Sequence, residues 1–189
     1  MNDSCDVLII GAGPSGLSLA GVLARQGLAV AIVDPATRDA LATPADDGRE
    51  IALTLLSRQL LEDWGQWPLL GGDEFARLKE AHVYDGESTE PMRVQAPEGS
   101  ATLGWMASNH ALRRVAFEVA DAQAGIDWRL GRKVVDLVVG EDDTRVELDD
   151  GSTCRARLVV AADSRFSTSR RRMGIAAKMH DFGRSMMVC

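Results

Sequence analysis

Gly11, Gly13 and Gly16 stand in the pattern G-x-G-x-x-G, and Asp34 closes the next apolar run, within DVLIIGAGPSGLSLAGVLARQGLAVAIVDP. Glycines at that spacing suit phosphate chemistry. The first lets the chain turn tightly, the second lets backbone N–H groups approach a diphosphate, and the third lets a following helix pack closely on the preceding strand. A diphosphate held there lies at a helix N-terminus, where free N–H groups and the helix dipole favour anions. Asp34 is suited to accept hydrogen bonds from a ribose diol and would repel a 2′-phosphate, so NAD or FAD fits better than NADP. Ala12, Pro14, Ser15 and Pro35 complete the two candidate contact segments. The competing reading is a glycine-rich turn with an ordinary surface aspartate.

These residues need a strand, a turn, a helix and a second strand to position them. Val7–Ile10 is the short apolar run expected of a strand buried on both faces. Leu17, Ala20, Leu23 and Ala24 recur at helical spacing, and Gly27 suits the helix end. Residues 29–33 form the second strand. Residues 35–50 are rich in Pro, Asp, Ala and Thr and read as a loop. The segment IALTLLSRQLLEDWGQW reads as a helix with Leu53, Leu56, Leu60 and Trp64 on one face, capped by Thr54 or Ser57. Arg49, just before it, is either a phosphate-seeking side chain or a solvated loop cation. Short strands are expected in AHVYDG, PMRVQA and ATLGWMA, an antiparallel excursion over residues 79–106. A helix runs from Asn109 to about Ala122 with Leu112, Val115 and Val119 inward. A β-rich stretch follows, with Asp149-Asp150-Gly151 as a hairpin turn. Residues 158–162 read as a buried strand that returns to the parallel sheet and ends at Asp163.

A net charge of −7, from 21 basic and 28 acidic side chains, argues against general nucleic-acid or anionic-membrane binding. Hydrophobic residues at 46% allow a sizeable core. Cys5, Cys154 and Cys189 form no C-x-x-C pair, and His82, His110 and His180 have no ligand spacing, so neither a disulfide scaffold nor a metal site is expected. Residues 7–24 carry no charge, but four glycines, a proline and two serines within them argue against a membrane span. A reducing cytoplasm fits. The five letters GGDEF at 71–75 match a diguanylate cyclase signature, yet the segment before them is already committed to a dinucleotide fold, and a chance match is the better reading.

Taken with DGREIALTLLSRQLLEDWGQW and LVVAADSRFSTSRRRMGI, the first motif resembles the flavoprotein aromatic hydroxylases of the para-hydroxybenzoate hydroxylase type, and among them the ubiquinone-biosynthesis hydroxylases. The resemblance covers essentially the whole chain. It implies an α/β, Rossmann-like FAD-binding fold with a parallel central sheet, a β-meander and the start of an antiparallel substrate-domain sheet. Residues 1–78 and 107–178 would form the FAD-binding domain, 79–106 a substrate-domain excursion, and 179–189 the first strand of a substrate sheet. It also implies that Gly11, Gly13 and Gly16 hold the FAD diphosphate and Asp34 the ribose. Arg49, Asn109 and Arg113 would contact the cofactor, Val134 the adenine by its main chain, and Asp163 the second fingerprint, where Ser164 replaces the usual glycine. Ser167 would cap a short helix bearing Arg170–Arg172, read mostly as solvated, with partial attraction of phosphate as the alternative. The implied reaction takes electrons from NAD(P)H and oxygen from O₂ to hydroxylate an electron-rich ring, such as a polyprenylated phenol. No catalytic residue is identified. A homo-oligomer, a complex with other ubiquinone-pathway proteins, and peripheral membrane contact are compatible with the resemblance. Family members continue beyond the motifs present here, so the chain is expected to be an N-terminal piece that holds FAD weakly or not at all and self-associates. Other flavoprotein classes (halogenase, reductase or amine oxidase) and a non-catalytic flavin-binding or scaffold role are the alternatives. The spacing in WGQWPL does not match the halogenase signature.

Overall fold

The computed structural model describes residues 4–84, 86, 89–96, 98–164 and 166–183. The chain divides into two compact units, one from residues up to Pro44 and from Ala116 onward, the other from Ala45 to Val115. The boundary expected between residues 78 and 79 falls inside the second unit.

The first unit opens with β1 (Ser4–Ile10), α1 (Pro14–Arg25), β2 (Val30–Asp34) and α2 (Arg38–Ala42). Pro14 at the first helical position needs no N–H partner, which suits it to start α1. Gly27 ends the helix at φ +82°, a conformation that favours glycine. The short helix α2 lies where a loop was expected. Thr37 caps it by accepting the Ala40 N–H, a signal too brief to show as periodicity.

The second unit continues with β3 (Glu50–Leu53), α3 (Leu55–Asp63), β4 (Phe75–Leu78), β5 (Glu80–Val83), β6 (Met92–Gln95) and β7 (Gly104–Ser108). Helix α4 (Asn109–Asp121) runs across the division. The first unit then resumes with β8 (Ile126–Leu130), β9 (Val134–Val139), β10 (Thr144–Leu148), β11 (Thr153–Ala161) and α5 (Thr168–Arg172).

In the first unit the sheet order is β8-β2-β1-β11-β10-β9. β8, β2, β1 and β11 run parallel, and β10 and β9 continue as an antiparallel meander. The uninterrupted apolar runs in β1 and β2 follow from burial on both faces. Val7, Ile9, Val30 and Ile32 pack with Leu17, Ala20, Ala116, Phe117 and Ala120. Their neighbours Leu8, Ile10, Ala31 and Val33 pack with Leu137, Val146, Leu148 and Cys154 on the other side. Each valine, leucine or isoleucine among them contributes about 2 kcal/mol by leaving water. β11 departs from expectation: Leu158 is 56% exposed, although this stretch reads as a buried strand. Cys154 and Ala156 in its first half are fully buried in the β-meander core, whereas the second half is only partly covered, with Val159 against that core and Val160 against the α1 side. The Asp149-Asp150-Gly151 turn joins β10 to β11, with Gly151 at φ +81°.

In the second unit β7 pairs antiparallel with β3 and β4, and β5 with β6. The expected helix begins later than its apolar spacing indicates. Leu53 belongs to β3, Thr54 caps α3 by accepting the Ser57 N–H at 3.0 Å, and Leu56 is exposed. Pairing of Glu50–Leu53 with Trp105–Ser108 overrides the helical reading of that stretch. The GGDEF residues have structural jobs: Glu74 accepts from the Gly71 N–H and from Arg114, and Phe75 packs against Trp67 at a tilt and edge-to-face with Trp105. Residues 179–183 form no strand, and 184–189 lie outside the described residues.

Candidate functional site

At the carboxyl ends of β1, β2 and β11 the first unit forms an open cavity of about 600 Å³. Ile10, Gly11, Gly13, Asp34, Pro35 and Asp163 line it, together with residues 132–135 at the start of β9. Open α/β sheets bind ligands at this edge. The glycine loop is built by close backbone contacts. Gly11 has φ +111°, and its N–H donates to the Val33 carbonyl at 2.9 Å. A Cβ on Gly11 would lie 2.4 Å from the Ala162 carbonyl oxygen, and one on Gly16 would lie 2.1 Å from that of Gly11. A Cβ on Gly13 would meet nothing within 4 Å. The loop is therefore packed tightly at Gly11 and Gly16 and open at Gly13. Among the described residues no side chain caps the N-terminus of α1, and its first turn holds no acid. Its leading N–H groups and the positive end of its dipole stay available to an anion.

Asp34 braces this loop. Its Oδ2 accepts the Ala12 N–H and its Oδ1 the Ala36 N–H, each at 2.7 Å. A carboxylate has further acceptor positions, so these bonds leave capacity for a diol. The Asp34 carbonyl accepts the Arg132 N–H at 3.1 Å, which brings the turn before β9 beside the end of β2. Arg132 and Lys133 thereby join the cavity wall, with Asp149 and Arg172. The Val134 carbonyl already accepts from the Arg172 guanidinium. Arg172 is exposed, as expected of this run of arginines, and it also lines this wall; nothing local in the run separates it from its neighbours.

Asp163 also lines the cavity. Burial alone would raise its pKa, but the Ser167 hydroxyl and the Ser169 N–H, the latter at 3.0 Å from Oδ2, hold it below the usual carboxylate range. Its Oδ1 is buried with no hydrogen-bond partner among the described residues. Ser167 caps α5 by accepting the Arg170 N–H. Ser164 adopts φ +77°, the left-handed region that favours glycine. Ser164→Gly should relieve this strain and stabilise the protein by about 0.5–1 kcal/mol, raising the thermal midpoint by about 2 °C. A lower midpoint would show that the Ser164 side chain makes a compensating contact.

Residues 4–188 match the family described as FAD binding domain. The chain belongs to this family of FAD-binding domains.

The match extends to curated relatives. The chain is 38% identical to the ubiquinone hydroxylase UbiM of Neisseria meningitidis, over 97% of this chain and 41% of that protein. It is 33% identical to the ubiquinone hydroxylase UbiL of Rhodospirillum rubrum, over 97% of this chain and 42% of that one. Among solved structures, Pseudomonas aeruginosa PqsL with 2-aminobenzoylacetate superposes with a TM-score of 0.75 at 28% identity, covering 95% of this chain and 48% of PqsL. The chain thus spans about two fifths of the length of these curated relatives.

The cavity of this FAD-binding domain suits the adenosine diphosphate portion of the cofactor. It offers an open glycine, an uncapped helix end, basic side chains and the Asp34 carboxylate on one cavity wall. The expected contact residues fall into two groups. Gly11, Gly13, Asp34, Pro35, Val134 and Asp163 converge on the cavity, with Ala12, Pro14, Ser15 and Gly16 forming the turn into α1. Arg49, Asn109 and Arg113 belong to the second unit. There, Asp47 accepts from both Arg49 and Asn109, a link not expected from the sequence. These bonds hold the Asp47 pKa at about 2, chiefly through the Arg49 guanidinium. Arg113 lies one turn beyond Asn109 on α4 and is half-buried. No helix among the described residues is long and apolar enough to cross a membrane.

Proposed function

We propose that this chain is the FAD-binding part of a flavin-dependent monooxygenase that hydroxylates an aromatic ring, with NAD(P)H as reductant and O₂ as oxidant. The observation that carries the proposal is the convergence of the glycine turn, Asp34 and Asp163 on one cavity in a chain whose relatives include ubiquinone hydroxylases. A polyprenylphenol of the ubiquinone pathway is the substrate class those relatives support. In this reading the α1 N–H groups bind the diphosphate, Asp34 the ribose, the Val134 main chain the adenine, and Asp163 the second fingerprint contact. Arg49, Asn109 and Arg113 serve the flavin portion. Bound FAD supplies hydride acceptance and oxygen activation, while the protein binds and orients it. Residues 79–106 belong with the substrate-binding part, and the protein works in the cytoplasm. Association with itself, with other ubiquinone-pathway proteins or with a membrane surface fits the same reading.

Titration of the purified chain with FAD, followed by flavin fluorescence, and with ADP, followed by calorimetry, tests the proposal. Both should bind at one site, with ADP retaining a large share of the affinity, and Asp34→Ala should weaken each at least tenfold. Failure of both to bind at millimolar concentration would defeat it.

A further inference from the structure

Asp47 is the shared acceptor of the loop that precedes β3. Its Oδ2 accepts from Arg49 Nε at 2.8 Å, from a terminal guanidinium nitrogen of the same arginine, and from Asn109 Nδ2 at 2.8 Å. Its Oδ1 accepts the Arg49 backbone N–H at 3.2 Å. The Asn109 backbone N–H in turn donates to the Arg49 carbonyl at 2.8 Å. Arg49 is therefore held at both ends, by Asp47 at the guanidinium and by Asn109 at the main chain. Asn109 is buried at the start of α4, whereas the Arg49 side chain is 64% exposed. An exposed arginine ordinarily samples many rotamers, and ordering it on a ligand costs entropy. Here one carboxylate bears that ordering in advance, and Arg49 keeps a second terminal nitrogen outside these bonds.

We infer that Asp47 is a positioning residue that locks Arg49 and Asn109 into one donor cluster for the flavin portion of FAD; the inference rests on the FAD reading above. Asp47 acts through its two partners and touches no cofactor atom itself. Its carboxylate also offsets the arginine charge, so the cluster works by geometry more than by net charge.

The test compares FAD and ADP affinity of the purified chain in wild type, Asp47→Ala, Arg49→Ala and the double variant. Asp47→Ala should weaken FAD about tenfold and leave ADP within twofold, because ADP lacks the flavin portion. The double variant should be no more than twofold weaker than Arg49→Ala, since removing the arginine leaves Asp47 little to position. Asp47→Asn, of the same shape, should fall between wild type and Asp47→Ala. Three results would overturn the inference: FAD affinity unchanged in Asp47→Ala, equal loss of FAD and ADP, or additive losses in the double variant. Asp34→Ala separates the two levels. If it weakens both nucleotides while Asp47→Ala weakens neither, the FAD reading stands and the Asp47 role fails. If no variant changes either affinity, or wild type binds ADP and not FAD, both fail.

Discussion

Gly16→Ala is expected to destabilise the protein by about 3 kcal/mol, lowering the thermal midpoint by about 10 °C. In an exposed helix interior the same change would stabilise by up to about 1 kcal/mol, because alanine has the higher helix propensity. Here the added methyl would lie 2.1 Å from the Gly11 carbonyl oxygen and 3.3 Å from Ile9 Cγ2. The first contact is with backbone, which cannot swing away as a side-chain tip can. Relief requires α1 to move off β1, and that movement opens the core formed by Ile9, Leu17 and Ala20. The steric term therefore outweighs the propensity term. Chemical denaturation of the variant measures the sign directly, and an unchanged or raised midpoint would refute this packing account.

Gly13→Val should behave in the opposite way. Nothing lies within 4 Å of a Cβ at this position, and its backbone is extended at φ −75°, ψ 175°, which valine adopts readily. Stability should stay within about 0.5 kcal/mol of wild type. The branched side chain would instead occupy the open space above the α1 N-terminus, and FAD and ADP affinity should fall at least a hundredfold. The two variants lie three residues apart in one motif and separate its two jobs. Gly16 serves helix-on-strand packing, and Gly13 serves access to the backbone donors. Retained nucleotide affinity in Gly13→Val would place the diphosphate elsewhere.

The contrast also marks how far the residues alone can be read. The glycine turn, α1, β2 and Asp34 were legible because each depends on neighbours close in sequence: the strand and helix periods change within a few residues, and the acid follows at the strand's end. The caps at Thr37, Thr54 and Ser167 are equally local; the residue pattern points to Ser167 and to Thr54 or Ser57, but not to Thr37. β3 was not legible. Its four residues fit a helical period as well as a strand, and pairing with β7, more than fifty residues later, decides the outcome. Leu158 shows the same limit: an apolar strand residue reads as buried, yet it is exposed while its neighbours Val159 and Val160 pack against the two cores, and only the packing partners of β11 decide which of them is covered.

Sequence alone determined that a glycine-rich turn would join a strand to a helix and that an acid would close the next strand, because that geometry needs only local backbone freedom and residues close in the chain. Tertiary structure decided which distant residues complete the arrangement. It brought Arg132, Lys133 and Arg172 to the wall beside Asp34, and it made Asp47 the common partner of Arg49 and Asn109. Those contacts join segments far apart in the chain, and hydrogen bonds of that kind are selected by where the folded backbone passes, which no short window of residues encodes.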